Sequence, residues 1–91
     1  MPTVQNLPAA DVQVQFPSGE VKTIFLLRLL GIVQHAEMMA RFGHGIARNA
    51  PTLREVREEL EIPASVCRTW AQAAPMLREF YNDLTAHLRD A

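Results

Sequence analysis

TLREVREELEIPASVCRTW, residues Thr52 to Trp70, begins with a helix start signal and carries a helix stop inside it. Thr52 and Glu55 have the spacing of a capping box: the threonine hydroxyl accepts the Glu55 N–H, and the glutamate carboxylate reaches back to the Thr52 N–H. Glu55 also sits where the positive end of the helix dipole favours a negative charge. Leu53, Val56 and Leu60 follow at helical spacing and form one apolar stripe, while Arg54, Arg57, Glu58, Glu59 and Glu61 take the other face. Pro63 ends this helix near Ile62, because the residue before a proline is pushed out of the α region. A second helix carrying Val66, Cys67 and Trp70 is expected to follow, with Pro63 as one of its early, preset residues.

A capped helix, a short turn holding an apolar Ile62, and a second helix with an inward Trp70 together resemble the helix-turn-helix of DNA-binding regulators, most closely in the wording ELEIPASVCRTW from Glu59 to Trp70. The resemblance covers 19 of the 91 residues. It implies that the second helix lies in the major groove with its outward side chains on base edges. By position those side chains are Ser65, Arg68, Thr69 and Gln72, and Arg68 is the one suited to grip a guanine edge with two bonds. Arg54 and Arg57 would then touch phosphate. The chain departs from the family pattern at two places. Arg57 stands where the family favours a small residue at the helix crossing, and Glu61 stands where it favours a turn glycine that adopts a left-handed backbone at no cost.

Outward from this unit, residues 1–10 contain Pro2 and Pro8 and no periodicity, and read as a loose arm. Val12, Val14 and Phe16 alternate with Gln13 and Gln15, the pattern of a strand with one wet face. Pro17-Ser18-Gly19-Glu20 is a turn signal, and Val21-Lys22-Thr23 returns as a short second strand, giving a hairpin over 11–23. A lone hairpin is marginal, so it must lie on helices or pair with another chain.

Residues 24–49 read as the main helix. Gln34, Glu37, Arg41, His44 and Arg48 recur as a single solvent stripe, but before Gln34 the segment is apolar nearly all round. A helix apolar on every side requires burial on every side, and a chain of this length has little with which to wrap it. Ile24, Phe25, Leu26, Leu27, Leu29, Leu30 and Val33 are therefore expected to meet a second copy in a two-fold dimer. The plainer alternative is a central core helix of a monomer. Gly31 permits a close crossing, and Gly43 and Gly45 loosen or end the helix. Met76, Leu77, Phe80, Tyr81, Leu84 and Leu88 give an amphipathic stripe to the end, with Pro75 either opening this last helix over 75–90 or kinking a continuous one.

Composition bounds the function. Apolar residues make up 48% of the chain, enough for one modest core and too many for a disordered segment. The net charge is −1; residues 1–50 carry four basic against three acidic side chains, whereas residues 51–91 carry five arginines against seven acids. The half that resembles a DNA reader is the acidic half, which weakens the non-specific phosphate attraction that drives DNA affinity. The single Cys67 excludes an internal disulfide and reads as a small buried hydrophobe. No signal peptide is visible and no apolar run is long enough to span a membrane, so cytoplasmic residence is the expectation. His35 and His44 lack metal-ligand spacing, Phe42-Gly43-His44-Gly45 lacks the lysine and strand of a phosphate loop, and Cys67 has no histidine near it in sequence. No enzyme and no cofactor is expected.

The reading is a mainly α, small helical domain of three to four helices with a short N-terminal β-hairpin, dimeric, its helix-turn-helix-like unit spanning 52–74. The function expected first, because it rests on a specific pattern, is a non-enzymatic DNA-binding transcriptional regulator; the alternative is a helical protein–protein interaction module such as an adaptor, chaperone-like protein or inhibitor. In the second, the apolar helix and the adaptable Met38 and Met39 supply the working surface.

Overall fold

The computed structural model describes residues 10–45 and 49–90, with side chains through residue 86. The elements run β1 (Asp11–Gln15), β2 (Val21–Phe25), α1 (Leu26–Phe42), α2 (Leu53–Leu60), a single 3₁₀ turn (Ala64–Val66) and α3 (Trp70–Asp90). The fold is thus small and mainly helical, with an antiparallel hairpin at its N-terminal side. The arm read over residues 1–10 lies outside the described residues except for Ala10, as do residues 46–48 and the side chains of residues 87–90.

The hairpin forms where the alternation places it, and extends further. Gly19, at φ 91°, donates its N–H to the Phe16 carbonyl at 2.8 Å, and the Phe16 N–H reaches the Glu20 carbonyl at 2.9 Å. This is the geometry of short hairpin loops that end in a left-handed glycine. The strands pair in register from Gln15 opposite Val21 to Asp11 opposite Phe25, and the Leu26 N–H to Ala10 carbonyl bond extends the ladder one step. Ile24 and Phe25, assigned above to the main helix, are therefore strand residues. The reason is local: β-branched and aromatic residues favour the pleated backbone, and Phe25 keeps an extended conformation as the residue before α1.

The main helix is also shorter at its far end. Gly43, at φ 79°, takes the left-handed position after Phe42 and closes the helix with its N–H on the Met39 carbonyl, so α1 ends at Phe42 rather than near Asn49. Leu26, Leu29, Ile32, Val33 and Ala36 are buried along one stripe of α1. Against them lie Phe16 and Ile24 from the hairpin, Val56 and Leu60 from α2, Cys67 from the connection, and Ala73, Ala74, Leu77 and Tyr81 from α3. α1 and α3 form the main helical pair. Two hydrogen bonds from Arg78 to the Glu37 carboxylate, at 2.9 and 2.8 Å, bridge them on the solvent side. At one end the His35 ring meets the Trp70 ring edge-on at 5.2 Å, and Gly45 lies so close against His35 that a Cβ there would strike its ring.

α3 is continuous through Pro75, so of the two readings of that proline the continuous helix is the one found. Thr85, buried in α3, sends its hydroxyl back to the Tyr81 carbonyl at 3.0 Å, which satisfies a polar group inside the core.

Candidate functional site

The first half of the helix-turn-helix-like unit is built as the spacing predicts. Thr52 accepts the Glu55 N–H at 3.1 Å, the Glu55 carboxylate accepts the Thr52 N–H at 2.8 Å, and α2 runs from Leu53 to Leu60. These contacts, led by the bond from the Thr52 backbone, hold the Glu55 carboxyl below the ordinary glutamate range.

The second half differs. No helix follows Pro63: the chain makes one 3₁₀ turn over Ala64–Val66 and passes through Cys67, Arg68 and Thr69 before α3 starts at Trp70. The cause lies in the residues expected to read bases. The Thr69 hydroxyl accepts the Gln72 N–H at 3.2 Å, and the Gln72 side-chain oxygen accepts the Arg68 N–H at 2.7 Å. Thr69 and Gln72 therefore start α3, in the T-x-x-Q spacing that parallels Thr52 and Glu55, and a helix start here breaks any helix running through Arg68. The sequence carries this signal, one motif downstream of Thr52 and Glu55. Ser65, Arg68, Thr69 and Gln72 are all exposed, but they belong to a turn, a bend and a first helical turn rather than to one helix face.

Both departures from the family pattern have structural reasons. Arg57 reaches across from α2 and donates to the Cys67 carbonyl at 3.1 Å, filling with a side chain the space where a close helix crossing would demand a small residue. Glu61, at φ 54°, holds the left-handed position that ends α2. Its carboxylate accepts the Ser18 N–H and hydroxyl at 3.1 and 2.8 Å and meets the Lys22 ammonium at 3.2 Å. The turn is non-glycine because its side chain clamps the hairpin onto α2. The hydrogen bonds from Ser18, foremost, and the Lys22 charge hold the Glu61 carboxyl below its ordinary range.

Of the two proposed phosphate contacts, Arg57 lines a small open pocket of about 290 Å³ together with Ala64 and two of the proposed base readers, Ser65 and Arg68. Arg54 is not among them; it is exposed and paired loosely with Glu58 at 3.4 Å. Cys67 is fully buried beneath this region, and burial pushes its thiol up against the opposing influence of the Arg57 charge.

The residues assigned to a dimer separate into two groups. Ile24, Leu26, Leu29 and Val33 are buried in the chain's own core, and Leu30 is half-buried. The expectation that one chain cannot wrap this segment is corrected for these positions: the first two turns of the supposed helix are a strand and a helix start, and hairpin, α2 and α3 close over them. Phe25 and Leu27 stay exposed, at 54% and 62%, and Val21 joins them at 58%.

That exposure follows from strand alternation. Val12, Val14, Lys22 and Ile24 face inward; Asp11, Gln13, Gln15, Val21, Thr23 and Phe25 face outward. The outer face of β1 is thus polar, and that of β2 is apolar apart from Thr23. Backbone polarity alternates as well. The bonds at Phe16–Glu20 and Ala10–Leu26 fix the even-numbered positions as the hydrogen-bonded pairs of the ladder, so Val21, Thr23 and Phe25 turn their N–H groups toward the free edge of β2. Natural edges of this kind are blunted by charges. The one charge on β2, Lys22, is drawn inward: it donates to the Glu59 carbonyl at 2.9 Å, pairs with Glu61, and lies 4.9 Å from the Phe16 ring centre. Beneath the edge runs a groove of about 200 Å³ walled by Ile24, Phe25, Leu29, Ile32 and Leu60. Arg28 and Glu59, joined by two hydrogen bonds, stand at its rim. This edge is hidden in the sequence because Ile24 and Phe25 join the apolar run that follows; the β-branched and aromatic content of VKTIF is its signal.

Comparison with protein-family models, with curated proteins and with solved structures gave no match to this chain. Among the described residues no three histidine, cysteine or acidic side chains converge as a metal site would require, and no helix is long and apolar enough to cross a membrane.

Proposed function

We propose that this protein is a non-catalytic protein–protein interaction module that docks through the outer face of β2 and the first turn of α1. The observation that carries the reading is the exposure of Val21 and Phe25, each more than half exposed on an open strand edge that carries no outward charge, followed by an equally exposed Leu27 in the first turn of α1. Apolar side chains scattered singly need no explanation, but neighbouring ones beside unpaired backbone donors mark a docking surface. A photo-crosslinking residue placed at position 27 in the cell tests this. Adducts should concentrate at Leu27 over the exposed control position Glu58 and should disappear with Phe25→Ser. Equal labelling at both positions would remove the proposal.

A second reading, a helix-turn-helix-like DNA binder acting in transcription, draws support from the shared pocket of Arg57, Ser65 and Arg68. Two guanidinium groups and a hydroxyl around one small opening suit a phosphate. Titration against mixed duplex fragments separates the two. A DNA binder weakens as salt rises and weakens further with Arg68→Ala, whereas no binding at low salt leaves the interaction module alone.

A further inference from the structure

We infer that the partner of the β2 edge is a second copy of this chain, joined antiparallel β2 to β2 about a two-fold axis through Thr23, so that two hairpins become one four-stranded sheet. The inference rests on the interaction reading above and names its occupant.

The register makes the edge complementary to itself. The outward backbone positions are 21, 23 and 25, symmetric about Thr23. In an antiparallel pair centred there, Thr23 of each copy exchanges hydrogen bonds with its equivalent, and Val21 of one copy stands opposite Phe25 of the other, twice. The Phe25 N–H of each copy also faces the Val21 carbonyl of the other, while the Phe25 carbonyl already serves the first turn of α1. Directly opposed side chains in such a pair lie about 5 Å apart and interact. Each exposed apolar side chain of the strand thus meets an apolar partner, with a small Thr–Thr contact on the axis. A slip by one residue would set inward positions against outward ones and lose every pair at once.

The other edge does not offer this. The outer row of β1 is Asp11, Gln13 and Gln15, and a two-fold pairing centred on Gln13 would oppose Asp11 to Gln15, burying polar and charged groups with no apolar gain. Lys22, whose charge would otherwise guard the β2 edge, is held under the sheet by Glu59 and Glu61.

Area sets the strength. A five-residue strand seam with three half-exposed apolar side chains buries on the order of 400–500 Å² per copy, below the roughly 800 Å² per partner of stable complexes. The dimer is therefore weak and concentration-dependent.

The experiment uses the intact chain. Sedimentation equilibrium from micromolar to millimolar concentration should show a reversible monomer–dimer transition. Thr23→Pro removes an outward N–H without touching the bonds to β1, an edge position where proline is tolerated, and should abolish the dimer while circular dichroism stays unchanged. Thr23→Cys should form an inter-chain disulfide under mild oxidation, since hydrogen-bonded antiparallel pairs bring Cα atoms to about 5.5 Å. Val21→Cys, whose equivalents lie far apart in this register, should cross-link at least about tenfold less. A monomer at all concentrations overturns the inference, as does a dimer that survives Thr23→Pro or cross-links equally through position 21. A monomer whose Leu27 adducts carry a different protein would overturn this pairing and leave the interaction reading standing.

Discussion

The carboxylate of Glu61 accepts both the backbone N–H and the hydroxyl of Ser18, at 3.1 and 2.8 Å, across 43 positions of sequence. One side chain therefore ends α2 in a left-handed backbone and fastens the hairpin tip to it. The two duties can be separated by substitution. Glu61→Gly loses the clamp but relaxes the backbone, whereas Glu61→Ala loses the clamp and keeps the strain. Glu61→Ala should be the less stable of the two by about 1 kcal/mol, read from urea unfolding, because a Cβ penalises the left-handed region. Equal stabilities would mean that the αL conformation costs nothing here.

Acid should loosen the fold through three carboxylates. Glu37 is held below the ordinary glutamate range first by its hydrogen bonds from Arg78, Glu61 first by Ser18, and Glu55 first by the Thr52 backbone. A folded-state value below the unfolded one gives stability that is complete above the unfolded value and is lost as pH falls through the folded one. Unfolding free energy should hold steady down to about pH 5 and then decline through the glutamate range and below it. Glu37→Gln should make the decline shallower, as measured by denaturant titrations at a series of pH values. A profile unchanged by that substitution would show that the Arg78 bridge does not form in solution.

Thr69 starts α3, whatever else it contacts. Thr69→Ala should cost about 1 kcal/mol of global stability through loss of the cap. Gln72→Ala should cost less, since the side chain serves one backbone donor outside the helix. Should Thr69→Ala leave thermal unfolding untouched while changing DNA binding, the capping assignment would be wrong.

Cys67 reports on the core. Its thiol is fully buried and pushed up by burial, so in the native protein it should resist a thiol reagent at pH 8 and react only as the chain unfolds. The rate of labelling in rising denaturant should track unfolding seen by Trp70 fluorescence. Leu77→Ala, which removes a side chain 1% exposed at the same core, should cost about 2–5 kcal/mol and accelerate labelling accordingly.

The alternation of residues 12–16, the Thr52–Glu55 box and the amphipathic stripe of α3 from Leu77 to Leu84 were legible, because each is a local pattern with a local cause. The β2–α1 boundary was not. Ile24 through Leu30 is apolar in every position but one, and an apolar run does not declare its period; the Ala10–Leu26 bond that decides it ties the run to a residue far outside it. Arg57 and Glu61 looked like imperfections of a known motif because their partners, Cys67 and Ser18, are found only in three dimensions. At the candidate site, the exposure of Val21 and Phe25 became visible only once both were on one strand face.

The hairpin is made before the residues that support it. Two strands alone have little stability in water, and the inward row of this pair rests on residues the ribosome adds long afterwards: Val14 and Phe16 share an apolar cleft with Leu60, Ile62, Leu77 and Phe80. On the ribosome the two strands therefore emerge ahead of this support, and synthesis must reach α3 before β1 and β2 can settle.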